Sequence, residues 1–214
     1  ATHGTGQILR ANLDGTEEEI VLSNLAGPAG IFLDIVNQRI YWADWVAQKI
    51  LQPLGLATPI RLCAGGRERQ DSVRLGLAAV EDHHRQVAIH DGVRPLVTPA
   101  LVEACLAAAA EHGAALLAVP VADTLKRGQA DRTVEKTIPR EDLWQAQTPQ
   151  AFDLQLIREA HRKALEAGVC GTDDAALVEG LNRRVHLVEG SRRNIKVTTP
   201  EDLLLAEAFL SAAV

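Results

Sequence analysis

Four short stretches of this chain carry residues whose types and spacing could do chemistry. The first is His90-Asp91-Gly92-Val93-Arg94-Pro95. Asp91 can accept a hydrogen bond from a hydroxyl or hold a hydrated metal, and Arg94 can clamp a phosphate through two parallel hydrogen bonds. The same pair could also be a turn salt bridge and nothing more. The second is Ala64-Gly65-Gly66-Arg67-Glu68-Arg69-Gln70-Asp71-Ser72-Val73. Gly65 and Gly66 let backbone approach a ligand, the helix start behind them offers N–H groups to an anion or a base edge, and Ser72 can hydrogen-bond at that mouth. A structural glycine turn is the alternative, and no GKS or GKT follows to make a P-loop. The third, Asp123-Thr124-Leu125-Lys126-Arg127, suits a phosphate or a solvated loop. The fourth, Asn194-Ile195-Lys196-Val197-Thr198, sets Lys196 among apolar neighbours, where it wants an anionic partner, either a structural carboxylate or a ligand phosphate. Between the last two lies Leu143-Trp144-Gln145-Ala146-Gln147-Thr148-Pro149-Gln150, whose apolar and amide residues read as a buried ladder.

These stretches need a scaffold, and the sequence after residue 57 supplies an alternation of strands and helices. Strands are expected at 60–63, 86–89, 114–120, 185–188 and 194–198, with an arm strand at 134–137. Helices are expected at 70–80, at 99–112 behind the cap Thr98-Pro99 and closed by Gly113, and at 154–167 closed by Gly168. Two more should run from Thr172-Asp173-Asp174 to about Leu181 and from Pro200-Glu201-Asp202 to about Leu210. Such alternation predicts an α/β fold, a mostly parallel sheet with helices on both faces. Polar groups leaving the carboxyl ends of its strands, Asp91 among them, would meet the ligand there.

The 214 residues include 22 Lys and Arg against 28 Asp and Glu, a formal net charge of −6. That balance argues against a nucleic-acid binder, while leaving room for local basic sites. No stretch reaches the length of a membrane helix, and the opening residues Ala1-Thr2-His3-Gly4 lack the character of a signal peptide. There is no Met, as in a processed or trimmed chain. Cys63, Cys105 and Cys170 are odd in number and widely spaced, which argues against a disulfide framework or zinc site and for buried, reduced thiols in a cytoplasmic protein. The seven histidines show no paired ligand spacing, and His83-His84 reads as solvated.

Residues 1–56 differ in composition. Strand candidates at 7–13, 19–22, 31–34 and 39–42 are separated by turn signals at Asp14-Gly15, Gly27-Pro28-Ala29-Gly30 and Val36-Asn37-Gln38. The pieces Ala11-Asn12-Leu13-Asp14-Gly15, Pro28 to Asp34 and Ile40-Tyr41-Trp42-Ala43-Asp44 resemble one YWTD repeat of low-density lipoprotein receptor-type propellers, with Ala43 where Thr is usual. One blade does not close a propeller. The segment is therefore expected as a short antiparallel β piece that packs on the α/β portion.

From about Arg61 to Leu210 the chain resembles the 2-C-methyl-D-erythritol 4-phosphate cytidylyltransferases. The resemblance rests on Gly65-Gly66 through Ser72-Val73, His90-Asp91 through Arg94-Pro95, Asp123 to Arg127, Trp144 through Thr148-Pro149-Gln150, Thr172-Asp173-Asp174, and Asn194 through Leu203. It implies a Rossmann-like nucleotidyltransferase sheet and a reaction in which the substrate phosphate attacks the α-phosphorus of CTP, with Mg2+ carried on the CTP phosphates. By position it implies Gly65, Gly66 and Ser72 at the cytosine and ribose, Asp91 and Arg94 at the sugar alcohol and ribose, and Lys196 at the reacting phosphates. Thr124, Arg140 and Thr148 would bind the phosphorylated polyol, and an arm over about 123–140 would embrace a second subunit in a homodimer. The family's opening, a glycine-rich loop with an Arg followed by Pro-Lys-Gln, has no counterpart here, so the chain reads as a chimera of a β segment and a cytidylyltransferase portion. A non-catalytic recombined protein is the alternative implied by that loss, and a propeller-type binding module is a more distant one.

Overall fold

The computed structural model describes residues 60–212 and, ahead of them, the backbone of 8–10, 19–22, 28–34 and 39–44. In chain order the elements are β1 (Ile8–Arg10), β2 (Glu19–Leu22), β3 (Pro28–Asp34), β4 (Arg39–Asp44), β5 (Ile60–Ala64), α1 (Arg69–Ala79), β6 (Gln86–His90), α2 (Pro99–His112) and β7 (Ala114–Pro120). The arm strands β8 (Leu125–Gly128) and β9 (Val134–Ile138) come next. After them run β10 (Trp144–Asp153), α3 (Leu154–Ala167), α4 (Asp174–Glu179), β11 (His186–Glu189) and α5 (Pro200–Ser211).

Local signals explain most of these boundaries. The Thr98 hydroxyl accepts from the Leu101 N–H at the start of α2, Pro99 occupies its first turn, and Gly113 ends it in the left-handed region at φ 85°. Asp153 caps α3 and Gly168, at φ 64°, closes it. Asp173 caps α4, and a reciprocal Thr199–Asp202 capping box opens α5.

A seven-stranded sheet has the order β11-β7-β10-β6-β3-β4-β5. Strands β11, β7, β6, β4 and β5 run one way, while β10 and β3 run antiparallel between them. The sheet is thus mostly parallel in strand direction, and helices cover both faces as expected. Side chains alternate along each strand, so one strand feeds two cores. Val87 and Ile89 of β6, Leu116 of β7 and Phe152 of β10 pack with Val73 and Leu77 of α1, Ile157 of α3 and Val178 of α4. Their sequence neighbours Ala88, Ala115, Leu117 and Ala151 face Cys105 and Ala109 of α2. The arm strands β8 and β9 pair only with each other, Leu125 opposite Ile138.

Several expectations change. Residues 194–198 are not a strand but an irregular loop, because Asn194 spends its hydrogen bonds on neighbouring elements rather than on a ladder. The residues Trp144 to Gln150 lie in a central strand. Its ladder to β7 shifts register between Ala146 and Gln150, which accommodates Pro149, a residue with no N–H to donate. His84 is buried rather than solvated, and among the cysteines only Cys105 is fully buried while Cys170 is exposed. Pro28 to Gly30 belong to β3, not to a turn. β1 pairs with β2 alone, whereas β3 and β4 enter the main sheet between β6 and β5, so the four strands do not make one four-stranded blade. The turn expected at 36–38 and the composition change near 52–59 lie outside the described residues. Among the described residues no helix is long and apolar enough to cross a membrane.

Candidate active site

The carboxyl end of β6 delivers His90 and Asp91 into a turn closed by the Arg94 N–H donating to the Asp91 carbonyl at 3.0 Å. Three groups fix this turn. The His90 Nε2 lies 3.0 Å from the Arg94 carbonyl, which can only accept, so Nε2 carries the proton. The other nitrogen, Nδ1, then accepts from the Thr148 hydroxyl at 3.0 Å. That hydroxyl in turn accepts the Asp91 N–H at 3.0 Å. Burial holds His90 below the usual histidine range, in keeping with a neutral ring.

Asp91 sits among cations. Lys196 Nζ lies 3.2 Å from Oδ2, Arg94 Nε lies 3.9 Å from the same oxygen, and Arg69 Nε and Nη2 reach Oδ1 at 3.4 and 3.3 Å. Burial alone would push this carboxyl up. Arg69, Lys196 and Arg94 overcome that and hold it below its ordinary value. The anionic partner wanted by Lys196 is thus a carboxylate, Asp91, and the Lys196 side chain stays 48% exposed, able to leave it. Three cations around one carboxylate leave the mouth electropositive, which suits a polyphosphate.

Arg69 ties this mouth to the interior. Its Nη1 lies 2.9 Å from Asp174 Oδ2, and His161 Nε2 meets the other Asp174 oxygen at 3.0 Å. The Asp174 side chain is 1% exposed. Burial lowers the Arg69 pKa, but Asp174 and Asp91 outweigh it and raise the group above its ordinary value. The loop carrying Lys196 is held as firmly. Asn194, 0% exposed, donates to the Thr148 carbonyl at 2.9 Å, and its own carbonyl accepts Arg94 Nη1 at 2.8 Å. Gln147 donates to the Ser191 carbonyl at 2.8 Å, and the Val197 N–H donates to the Val93 carbonyl at 2.7 Å.

The glycine turn meets the site from α1. No side chain caps the helix, whose N-cap is Glu68. The Ser72 hydroxyl accepts the Gly66 N–H at 3.0 Å and donates to the Glu68 carbonyl at 3.2 Å, so it shapes the loop. A Cβ on Gly66 would meet Asp71 Cβ at 2.1 Å. A Gly66→Ala change is therefore expected to push the turn off α1 and cost about 1–3 kcal/mol, read as a lower melting temperature.

Of the residues anticipated from sequence, the structure brings together Gly66 with Ser72, and Asp91 with Arg94, Thr148 and Lys196. Gly65 adjoins the first pair. Thr124 and Arg140 flank the exposed arm, where the Arg140 guanidinium donates to the Ala122 carbonyl, and no hydrogen bond or ion pair joins them to Asp91 among the described residues. Arg69, Gln147, Asn194 and Asp174 join the candidate site without a role assigned from sequence, and His90, singled out there only as part of its hexapeptide, holds the turn. The one available signal is the position of Arg69, a cation in the first turn of a helix behind a glycine pair.

The sequence matches the family described as IspD, 2-C-methyl-D-erythritol 4-phosphate cytidylyltransferase, over residues 40–212. The chain belongs to that cytidylyltransferase family. The match begins ahead of residue 57, so all but the first residue of β4 falls inside it. The 2-C-methyl-D-erythritol 4-phosphate cytidylyltransferase of Syntrophotalea carbinolica is 52% identical over 164 residues, 76% of this chain and 70% of that protein. The protein of the same description from Syntrophus aciditrophicus is 49% identical, over 78% of this chain and 71% of its own. Among solved structures, the Thermus thermophilus cytidylyltransferase superposes with a TM-score of 0.71 at 39% identity, covering 79% of this chain and 80% of that one.

Proposed function

We propose that the chain joins CTP to 2-C-methyl-D-erythritol 4-phosphate, releasing pyrophosphate and leaving a cytidine-diphosphate sugar alcohol, a step toward isoprenoid precursors. The observation that carries this reading is the cluster of Arg69, Arg94 and Lys196 around Asp91 at the carboxyl end of β6. In the reaction a substrate phosphate oxygen forms a bond to the α-phosphorus of CTP as the bond to pyrophosphate breaks. Such chemistry rests on positioning and on neutralising charge. Lys196 would exchange Asp91 for the reacting phosphates, and Asp91 and Arg94 would then hold the sugar-alcohol and ribose hydroxyls. Gly65, Gly66 and the loop shaped by Ser72 would take the cytosine and ribose. Thr124 and Arg140 would bind the methylerythritol phosphate, with Thr148 placed to support them through Asp91.

The residues around Asp91 do not fit a resident divalent ion, because cations occupy both Asp91 oxygens. Magnesium enters this reading with CTP, as part of the substrate. Calorimetric titration should therefore show saturable binding of MgCTP and weaker binding of MgUTP. Equal heats for the two nucleotides would remove the assignment of a cytosine-reading loop.

The homodimer through the arm over 123–140 belongs to the same proposal. What supports it is an isolated two-stranded ribbon, marginal on its own, with Leu125 and Val134 exposed along it. Sedimentation should give twice the chain mass, and a monomer would detach Thr124 and Arg140 from any shared site. A cytoplasmic location goes with this reading. The alternative, a chimeric or recombined protein that keeps part of the family fold without turnover, predicts no release of pyrophosphate.

A further inference from the structure

We propose that the turn joining α1 to β6 is a binding site for one divalent transition-metal ion, with Glu81, His83 and His84 as its protein ligands. Glu81 follows Val80, whose extended backbone ends α1. The His84 N–H donates to the Glu81 carbonyl at 3.1 Å and folds the turn back on itself. That closure sets the three side chains side by side. His83 Nδ1 lies 3.3 Å from Glu81 Oε2. The His83 and His84 rings stand 4.0 Å apart at their centroids, tilted by 41°. One oxygen of Glu81 and one ring nitrogen of each histidine lie within 4.8 Å of one another.

A tetrahedral ion with bonds of about 2.1 Å keeps its ligand atoms about 3.4 Å apart. The Glu81–His83 edge already has that length, rotation of the exposed His83 ring adjusts its edge to His84, and rotation of the Glu81 carboxylate adjusts the third. His84, 7% exposed, is the fixed ligand, and His83, whose side chain is 60% exposed, is the one that closes. Glu81 and His84 make further contacts of their own, with which the ion would exchange.

The turn is held in place without an ion. The Arg158 guanidinium of α3 donates to the Leu77 carbonyl at 3.1 and 2.9 Å and to the Val80 carbonyl, and it pairs with Asp82 Oδ1 at 2.6 Å. Ligands on an anchored turn lose less freedom on binding. Two imidazoles and a carboxylate favour Zn2+, Ni2+ or Cu2+ over Mg2+, which prefers oxygen ligands and retained water. The site is therefore distinct in chemistry from any magnesium brought by a nucleotide. Three protein ligands leave a fourth position to water. Adjacent histidines hide such a site from a search for spaced ligand pairs; it is the turn closure that assembles it.

The test is titration of the reduced full chain with ZnCl2 in millimolar MgCl2, followed by calorimetry, with CoCl2 as an absorbance probe. We expect one Zn2+ per chain, a visible Co2+ spectrum of four-coordinate type, and a melting temperature raised by Zn2+. His83→Ala, at an exposed position, should weaken binding at least about tenfold, the scale on which even outer partners of a metal act. Glu81→Gln should act in the same direction. Two controls should bind as the parent does: Cys170→Ser, and His112→Ala with His186→Ala, the other ring pair 4.0 Å apart. No saturable binding would overturn the site, as would binding that survives His83→Ala or is lost in a control. None of these readings depends on turnover.

Discussion

Lys196→Ala is expected to lower the rate of pyrophosphate release from CTP by about 10²–10³-fold, the cost of removing one preorganised charge from a developing transition state. Most of the loss should fall in kcat, since Arg69 and Arg94 still draw the polyphosphate to the mouth. Stability should scarcely change. The Lys196 side chain is 48% exposed and its bond to Asp91 is a partly solvated ion pair, worth no more than about 1 kcal/mol. Lys196→Arg should recover only part of the rate, because a planar fork cannot occupy the place of a compact ammonium. A variant that loses its fold along with its rate would assign Lys196 a structural part instead.

Arg69→Met is expected to reverse that pattern, with a large loss of stability and a loss of rate that follows from it. The change strands Asp174, which is 1% exposed, with His161 as its remaining side-chain hydrogen-bond partner, and it removes the largest single influence that lowers Asp91. Breaking a buried pair on one side costs about 3–5 kcal/mol. The lower end applies here, because the Arg69 side chain is 36% exposed and His161 stays. For a chain of this size about 3 kcal/mol lowers the melting temperature by roughly 6–12 °C. The pH dependence has a definite sign. Asp91 is held below the ordinary 3.8, so its contribution is present above that pH and fades as pH falls through the lower folded value. Without Arg69 the folded value rises, and acid unfolding should begin at higher pH. A parallel acid limb in parent and variant would show that Arg69 does not set the Asp91 charge.

The two variants also mark what is visible in the sequence. His90 to Pro95 is legible as a site because its signals are local: an apolar run ending at Asp91, then a turn, then Thr98-Pro99 at the head of a helix. Gly113, Gly168 and Asp173 fix boundaries for the same reason. The part played by Arg69 is not legible, since its partners Asp91 and Asp174 lie far along the chain and only the packing of α1 and α4 against α3, beside the end of β6, brings them to one guanidinium. Asn194 reads as the start of a strand, and its burial under Thr148 and Arg94 is a tertiary fact with no periodicity to announce it. The resemblance places Thr148 at a substrate, yet its hydroxyl serves the turn between His90 and Asp91. The antiparallel insertion of β10 between β7 and β6 is hidden too, because a strand whose successive residues are buried on both faces reads alike in either direction.

The most direct measurement is pyrophosphate release by the purified chain from CTP and 2-C-methyl-D-erythritol 4-phosphate in the presence of magnesium, with Lys196→Ala alongside. Release that needs both substrates and collapses in the variant is the predicted result, and it would mean that the electropositive mouth at Asp91 does the chemistry. Release no greater than that of Lys196→Ala would contradict the account and leave a cytidylyltransferase fold that binds without turning over.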